Sequence, residues 1–115
     1  MKYFKIEEFD CQETGENNMK PEFLEKLDQL RHNSDFPFVI TSGFRSVKHS
    51  KEVIKNNGGG SHTEGIAADI RVRNASERMI VVREAIKLGF TGIGVANSFV
   101  HVDTRTTRPV MWTYN

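Results

Sequence analysis

Two periodicities alternate along the chain. Phe23, Leu24, Leu27 and Leu30 recur at helical spacing behind Pro21. Proline suits the first turn of a helix, where its missing N–H would have no partner anyway. The pattern predicts a helix over 19–32. Phe38-Val39-Ile40 is a short β-rich run after Pro37, ended by Thr41-Ser42-Gly43. A second helix is expected from near Ser46 to about Asn56, stopped by Asn57 and the run Gly58-Gly59-Gly60. Residues 66–72 predict a strand. Asn74 or Ser76 then caps a third helix running to about Leu88, with Met79, Val82 and Ile86 expected on its buried face and Gly89 closing it. Two more strands are expected at 92–95 and 98–103, with Asn97-Ser98 as the turn. The tail holds Pro109 and Trp112 and has no clear period; Trp112 is expected to cover core or rim a cleft. About three helices interleaved with a small, mainly antiparallel sheet make an α+β fold.

Composition narrows the picture. A chain of 115 residues suits one domain over 1–115. At 37% hydrophobic and 27% charged it resembles ordinary globular proteins. A formal net charge of +1 offers no electrostatic reason to expect nucleic acid. No apolar run is long enough to span a bilayer, and MKYFKIEEFD has no apolar signal core. Cys11 is the only cysteine, so no internal disulfide is possible, and it is expected to be a small buried hydrophobe rather than a nucleophile.

Candidate chemistry concentrates in the second half. Gly-Gly-Gly-Ser-His-Thr-Glu-Gly-Ile-Ala-Ala-Asp puts His62 in a loop and Asp69 on the following strand. Phe-Val-His-Val-Asp puts His101 on another strand. Three N/O ligands of this kind leave a fourth tetrahedral position open for water, as a catalytic zinc site requires. Glycines 58–60 and Gly65 permit sharp turns and close approach. Ala67 shares the strand face of Asp69 and leaves space beside it, while Ile66, Ala68 and Ile70 face the core. Spacing alone leaves the alternative of ordinary solvated or core side chains open.

Ile40-Thr41-Ser42-Gly43-Phe44-Arg45-Ser46, then His62…Gly65…Ala67…Asp69, then His101-Val102-Asp103 follow in an order and spacing that resemble the zinc D-alanyl-D-alanine carboxypeptidase family. That family includes phage endolysins that cut L-alanyl-D-glutamate bonds, and it shares its fold with the hedgehog signalling domain. The resemblance runs from about Phe4 to Arg105. It implies Zn2+ held by His62, Asp69 and His101. It implies that Arg45 faces substrate, with Ser42 beside it, where a guanidinium can grip a carboxylate through two parallel hydrogen bonds or polarise the scissile carbonyl. It further implies a peptidoglycan stem peptide as substrate, in cell-wall lysis or remodelling. The expected protein is a monomer made in the cytoplasm, acting at the cell wall or periplasm through phage lysis or another export route.

Two positions depart from the family pattern. Gly60 stands where the family usually has serine, with Ser61 adjacent to His62, so a changed local hydrogen bond is expected. Ser98 and Phe99 stand where many relatives carry the general base. Asp103, on the same strand face as His101, is the nearest replacement; it is a candidate base or a partner that fixes the imidazole. In another register Asp103 ligates zinc and His101 is the acid/base; His101 is preferred as ligand because imidazole is the more usual one there. Glu64 is a second candidate base. His49 is expected to be an exposed helix residue or a substrate contact, and His32 a helix-terminal residue without a role in catalysis. A non-catalytic zinc module of the same fold is the rival reading.

Overall fold

The computed structural model describes residues 1–53, 55 and 60–114. The first helix, α1, spans Pro21–Ser34 and buries Phe23, Leu24, Leu27 and Leu30, the stripe that its spacing predicts. Full burial of such a side chain stabilises by roughly 1.5–3 kcal/mol. The helix ends at Asp35, which takes the left-handed conformation and returns its N–H to Arg31. Helix α2 spans Ala75–Leu88. The Asn74 side chain accepts the N–H of Glu77 at its start, and Gly89 closes it.

Five strands form one sheet: β1 Ile40–Ser42, β2 Ala67–Arg71, β3 Gly92–Val95, β4 Phe99–Asp103 and β5 Val110–Thr113. Their order is β1-β2-β4-β3-β5. The first four pair antiparallel, with a register irregularity between Ile40 and Ser42. The tail strand β5 runs parallel to β3, setting Gly94 against Trp112. The sheet is therefore mixed, antiparallel at three of its four pairings and parallel at the β3–β5 edge. The tail carries no alternation because β5 is an edge strand with mostly exposed side chains.

Two further expectations need correction. There are two α-helices among the described residues, not three. Over the expected second helix, the described residues make successive turns, His49 N–H to Ser46 O and Glu52 N–H to His49 O. Side chains take up donors that a helix would use: Ser46 Oγ accepts Lys48 N–H, Glu13 accepts Ser50 N–H and His49 Nδ1 accepts Lys51 N–H. The end of that expected helix, with Asn57, Gly58 and Gly59, lies outside the described residues. On α2 the buried face is displaced: Val81 and Ala85 are buried, whereas Met79 is 65% and Ile86 56% exposed. Apolar residues surround much of this helix, and the spacings 79/82/86 and 81/85/88 satisfy the same period.

Both helices cover one face of the sheet. Ala68 and Ile70 of β2 and Val100 and Val102 of β4 join Leu27, Leu30 and Val81 in one core. Ala67 is buried too, but falls outside that cluster. Cys11 is a buried free thiol whose sulfur accepts Ser46 N–H. The opposite face of β2 and β4 carries the polar residues.

Candidate metal centre

Asp69 and His101 are direct cross-strand partners in the β2–β4 ladder. Strand alternation puts both side chains on the face away from the helices. His62 reaches them from the turn before β2. Gly65 shapes this turn with φ of 76°, packing its backbone against Asn18 so closely that a Cβ would collide with the Asn18 carbonyl. All three side chains are buried, and one potential ligand atom from each lies within 4.8 Å of the others.

The atoms that converge are specific. Asp69 Oδ1 lies 3.3 Å from His62 Nε2 and 3.0 Å from His101 Nδ1. Ligand atoms about 2.1 Å from a tetrahedral ion stand about 3.4 Å apart. The remaining ring nitrogens are occupied: His62 Nδ1 donates to Gly43 O at 2.7 Å, and His101 Nε2 lies 2.7 Å from Asp103 Oδ2. Each imidazole thus has a partner behind it and its other nitrogen directed to the shared centre, as metal-ligating histidines typically do. The residues fit a zinc ion by donor type, spacing and support.

Electrostatics follow the same division. Burial opposes the charge on Asp69, but hydrogen bonds from His101 and His62 overcome it and hold the carboxyl below its ordinary range. Burial depresses His62. Burial also opposes protonated His101, yet the flanking Asp103 and Asp69 prevail and raise it.

Asp103 is fully buried on the far side of His101 from Asp69. Arg105 grips it with two bonds, Nε–H to Oδ1 at 2.9 Å and Nη2–H to Oδ2 at 2.7 Å. Gly92 faces Asp103 across the ladder, and any Cβ there would collide with the carboxylate. Arg45 donates from Nε to Ser42 Oγ at 3.1 Å and places Nη2 3.6 Å from Asp69 Oδ2. Glu64 is exposed on the wall of the same cleft. His49 is neither helical nor exposed; it is buried, 3.2 Å from Glu13, and also lines the cleft. His32 lies apart in the last turn of α1, bonded to the Tyr3 hydroxyl. Gly60 donates its N–H to Glu52 at 2.8 Å, and a side chain at this position would press on the Lys55 ammonium.

The cleft encloses about 1090 Å3 and crosses the sheet from Thr41 and Ser42 on β1 to Trp112 on β5, with Tyr114 beyond. Trp112 packs 5.1 Å from the His101 ring and Arg105 stacks over it at 4.8 Å. Gly94, between His101 and Trp112 in the ladder, leaves the space this needs. Sequence reasoning missed Glu52, Arg105 and Tyr114. Arg105 had a usable signal, lying two residues beyond Asp103; Glu52 had none, because its partners are scattered along the chain.

No curated protein matches the chain. A family model described as Peptidase M15 matches residues 2–103, which takes in Arg45, all three candidate ligands and Asp103. Peptidases of this family are zinc-dependent, and with the match spanning most of its length, the chain belongs to the Peptidase M15 family.

Proposed function

We propose that this protein is a zinc-dependent peptidase that hydrolyses peptide bonds in peptidoglycan stem peptides. The observation that carries the metal assignment is the convergence of His62 Nε2, Asp69 and His101 Nδ1 with both remaining ring nitrogens already occupied. Bound there, zinc supplies Lewis-acid charge that polarises a carbonyl and makes water acidic near neutral pH.

The chain's own residues do the rest. Asp103 accepts the Nε2 proton of His101 and keeps Nδ1 unprotonated towards the centre. Its oxygens are committed to His101 and Arg105, which supports the role of imidazole partner over that of base. With Asp103 so engaged, we propose Glu64, exposed on the cleft wall and two residues after His62, as the carboxylate that takes the proton from the attacking water. Arg45 and Ser42 bind the substrate, Arg45 through a carboxylate or the scissile carbonyl. The cleft continues on both sides of the ligands, towards β1 and towards Trp112, which favours cutting within a peptide over trimming its end.

The test is to incubate zinc-loaded protein with purified peptidoglycan and follow new termini by mass spectrometry. Internal cleavage of stem peptides is expected, with Glu64→Gln strongly impaired. If wild-type protein with zinc shown to be bound releases no new termini, the enzyme reading fails and the non-catalytic zinc module replaces it.

A further inference from the structure

Glu52 is the one fully buried glutamate side chain among the described residues, and none of the roles above uses it. It lies in the turns after β1 and is not one of the candidate ligands. A buried carboxylate is costly unless it is paired and hydrogen-bonded. Glu52 is both. Oε1 accepts Gly60 N–H at 2.8 Å and Thr63 Oγ1–H at 2.9 Å. Lys55 Nζ donates to both oxygens, at 3.1 and 2.9 Å. Oε2 also accepts Arg45 Nη1–H at 3.4 Å.

These partners share a purpose. Gly60 and Thr63 flank His62 on either side, so Glu52 anchors the turn that presents this ligand. Arg45 has all three nitrogens facing protein oxygens, those of Ser42, Glu52 and Asp69. Without Glu52, Asp69 is the remaining negative partner, and the guanidinium would be drawn onto a candidate ligand. With Glu52 opposite, it is held between two carboxylates while keeping N–H groups over for a ligand in the cleft it lines. Glu52→Gln keeps an oxygen for Gly60 and Thr63 but loses the counter-charge that Arg45 and Lys55 share.

We propose that Glu52 is a positioning residue, one buried carboxylate that fixes both the substrate-facing Arg45 and the turn carrying His62. Two readouts test it. The first needs no catalysis: hydrogen exchange of the Arg45 Nε–H by 15N NMR in the wild type and in Glu52→Gln. Exchange is expected to be roughly tenfold faster in the variant, the signature of a lost local clamp; equal exchange in the two proteins overturns the proposal. The second rests on the peptidase reading. Glu52→Gln is expected to lower kcat/KM by roughly 10- to 100-fold, mainly through KM, as misplacement of a binding group does. In an Arg45→Met background the same change is expected to cost much less. An undiminished loss in that background, or a loss confined to kcat, overturns the route through Arg45. Should Glu52→Gln fail to fold, Glu52→Asp replaces it in both measurements. If the wild type cleaves nothing, the peptidase reading falls, and the exchange experiment still decides the role of Glu52.

Discussion

On β4, Val100 and Val102 face the helices and are 0% exposed, while His101 and Asp103 lie on the opposite face, that of the cleft, and are 3% and 0% exposed. The same contrast holds on β2 between Ile70 and Asp69. Burial is equal on the two faces, but its meaning is opposite. On the helix face each apolar side chain removed from water adds stability. On the cleft face each buried charge loses hydration and is tolerated only through its partners. Asp103 has His101 and Arg105; Asp69 has two histidines and Arg45. A polar network buried this deeply signals a chemical task, because a set of packed aliphatic side chains would hold the sheet together at lower cost.

Substitutions on the two faces of the paired strands β2 and β4 can break the comparison. The largest effect is expected for His101→Ala, which loses both stoichiometric zinc and peptidase activity, measured by metal analysis of the purified protein and by the peptidoglycan assay. Retained zinc at wild-type affinity would remove His101 from the ligand set. Next in size is Ile70→Ala, one residue from Asp69 on the other face. It is expected to destabilise by about 2–5 kcal/mol in denaturant titration, with zinc affinity of the folded protein nearly unchanged. A loss of zinc affinity matching that of His101→Ala would mean that the two faces are not separable.

Asp103→Asn sharpens the contrast within the cleft face. It is expected to weaken zinc binding by about 10- to 100-fold, as loss of a partner behind a ligating histidine typically does, and competition with a chelator measures it. Complete loss of zinc would instead favour Asp103 as a direct ligand. The smallest effect is a slope in pH. Burial works against the Glu52 carboxylate, but hydrogen bonds from Lys55, Gly60 and Thr63 prevail and push its pKa from 4.5 down to about 2. A group held lower when folded gives stability that is fully present above its unfolded pKa and is lost as pH falls towards the folded one. Melting temperature is therefore expected to fall more steeply between about pH 5 and pH 2 in the wild type than in Glu52→Gln. Parallel curves would show that the buried carboxylate contributes nothing to acid stability.

Legibility in the sequence followed the range of the interactions. Helix α1 was readable because Pro21, Phe23, Leu24, Leu27 and Leu30 carry their signal within four turns. The start and end of α2 were readable from Asn74 and Gly89, but not its buried face, since an apolar surplus on that helix leaves the choice to the sheet. The turns after Ser46 were misread as a helix because the competing acceptors include Glu13, more than thirty residues earlier. Strand β5 was missed because an exposed edge strand needs no alternating pattern.

The same division holds at the candidate centre. The sequence by itself determined the kinds of donor, their order and the family, because the chemistry of histidine and aspartate and the glycine-shaped turn before β2 are local properties. Only the tertiary structure decided which ring nitrogen of each histidine meets Asp69, that Asp103 stands behind His101 rather than in the open cleft, and that Glu52 joins Arg45 to the His62 turn. Those relations depend on ladder register and on side chains brought together from distant segments, and no local pattern encodes them.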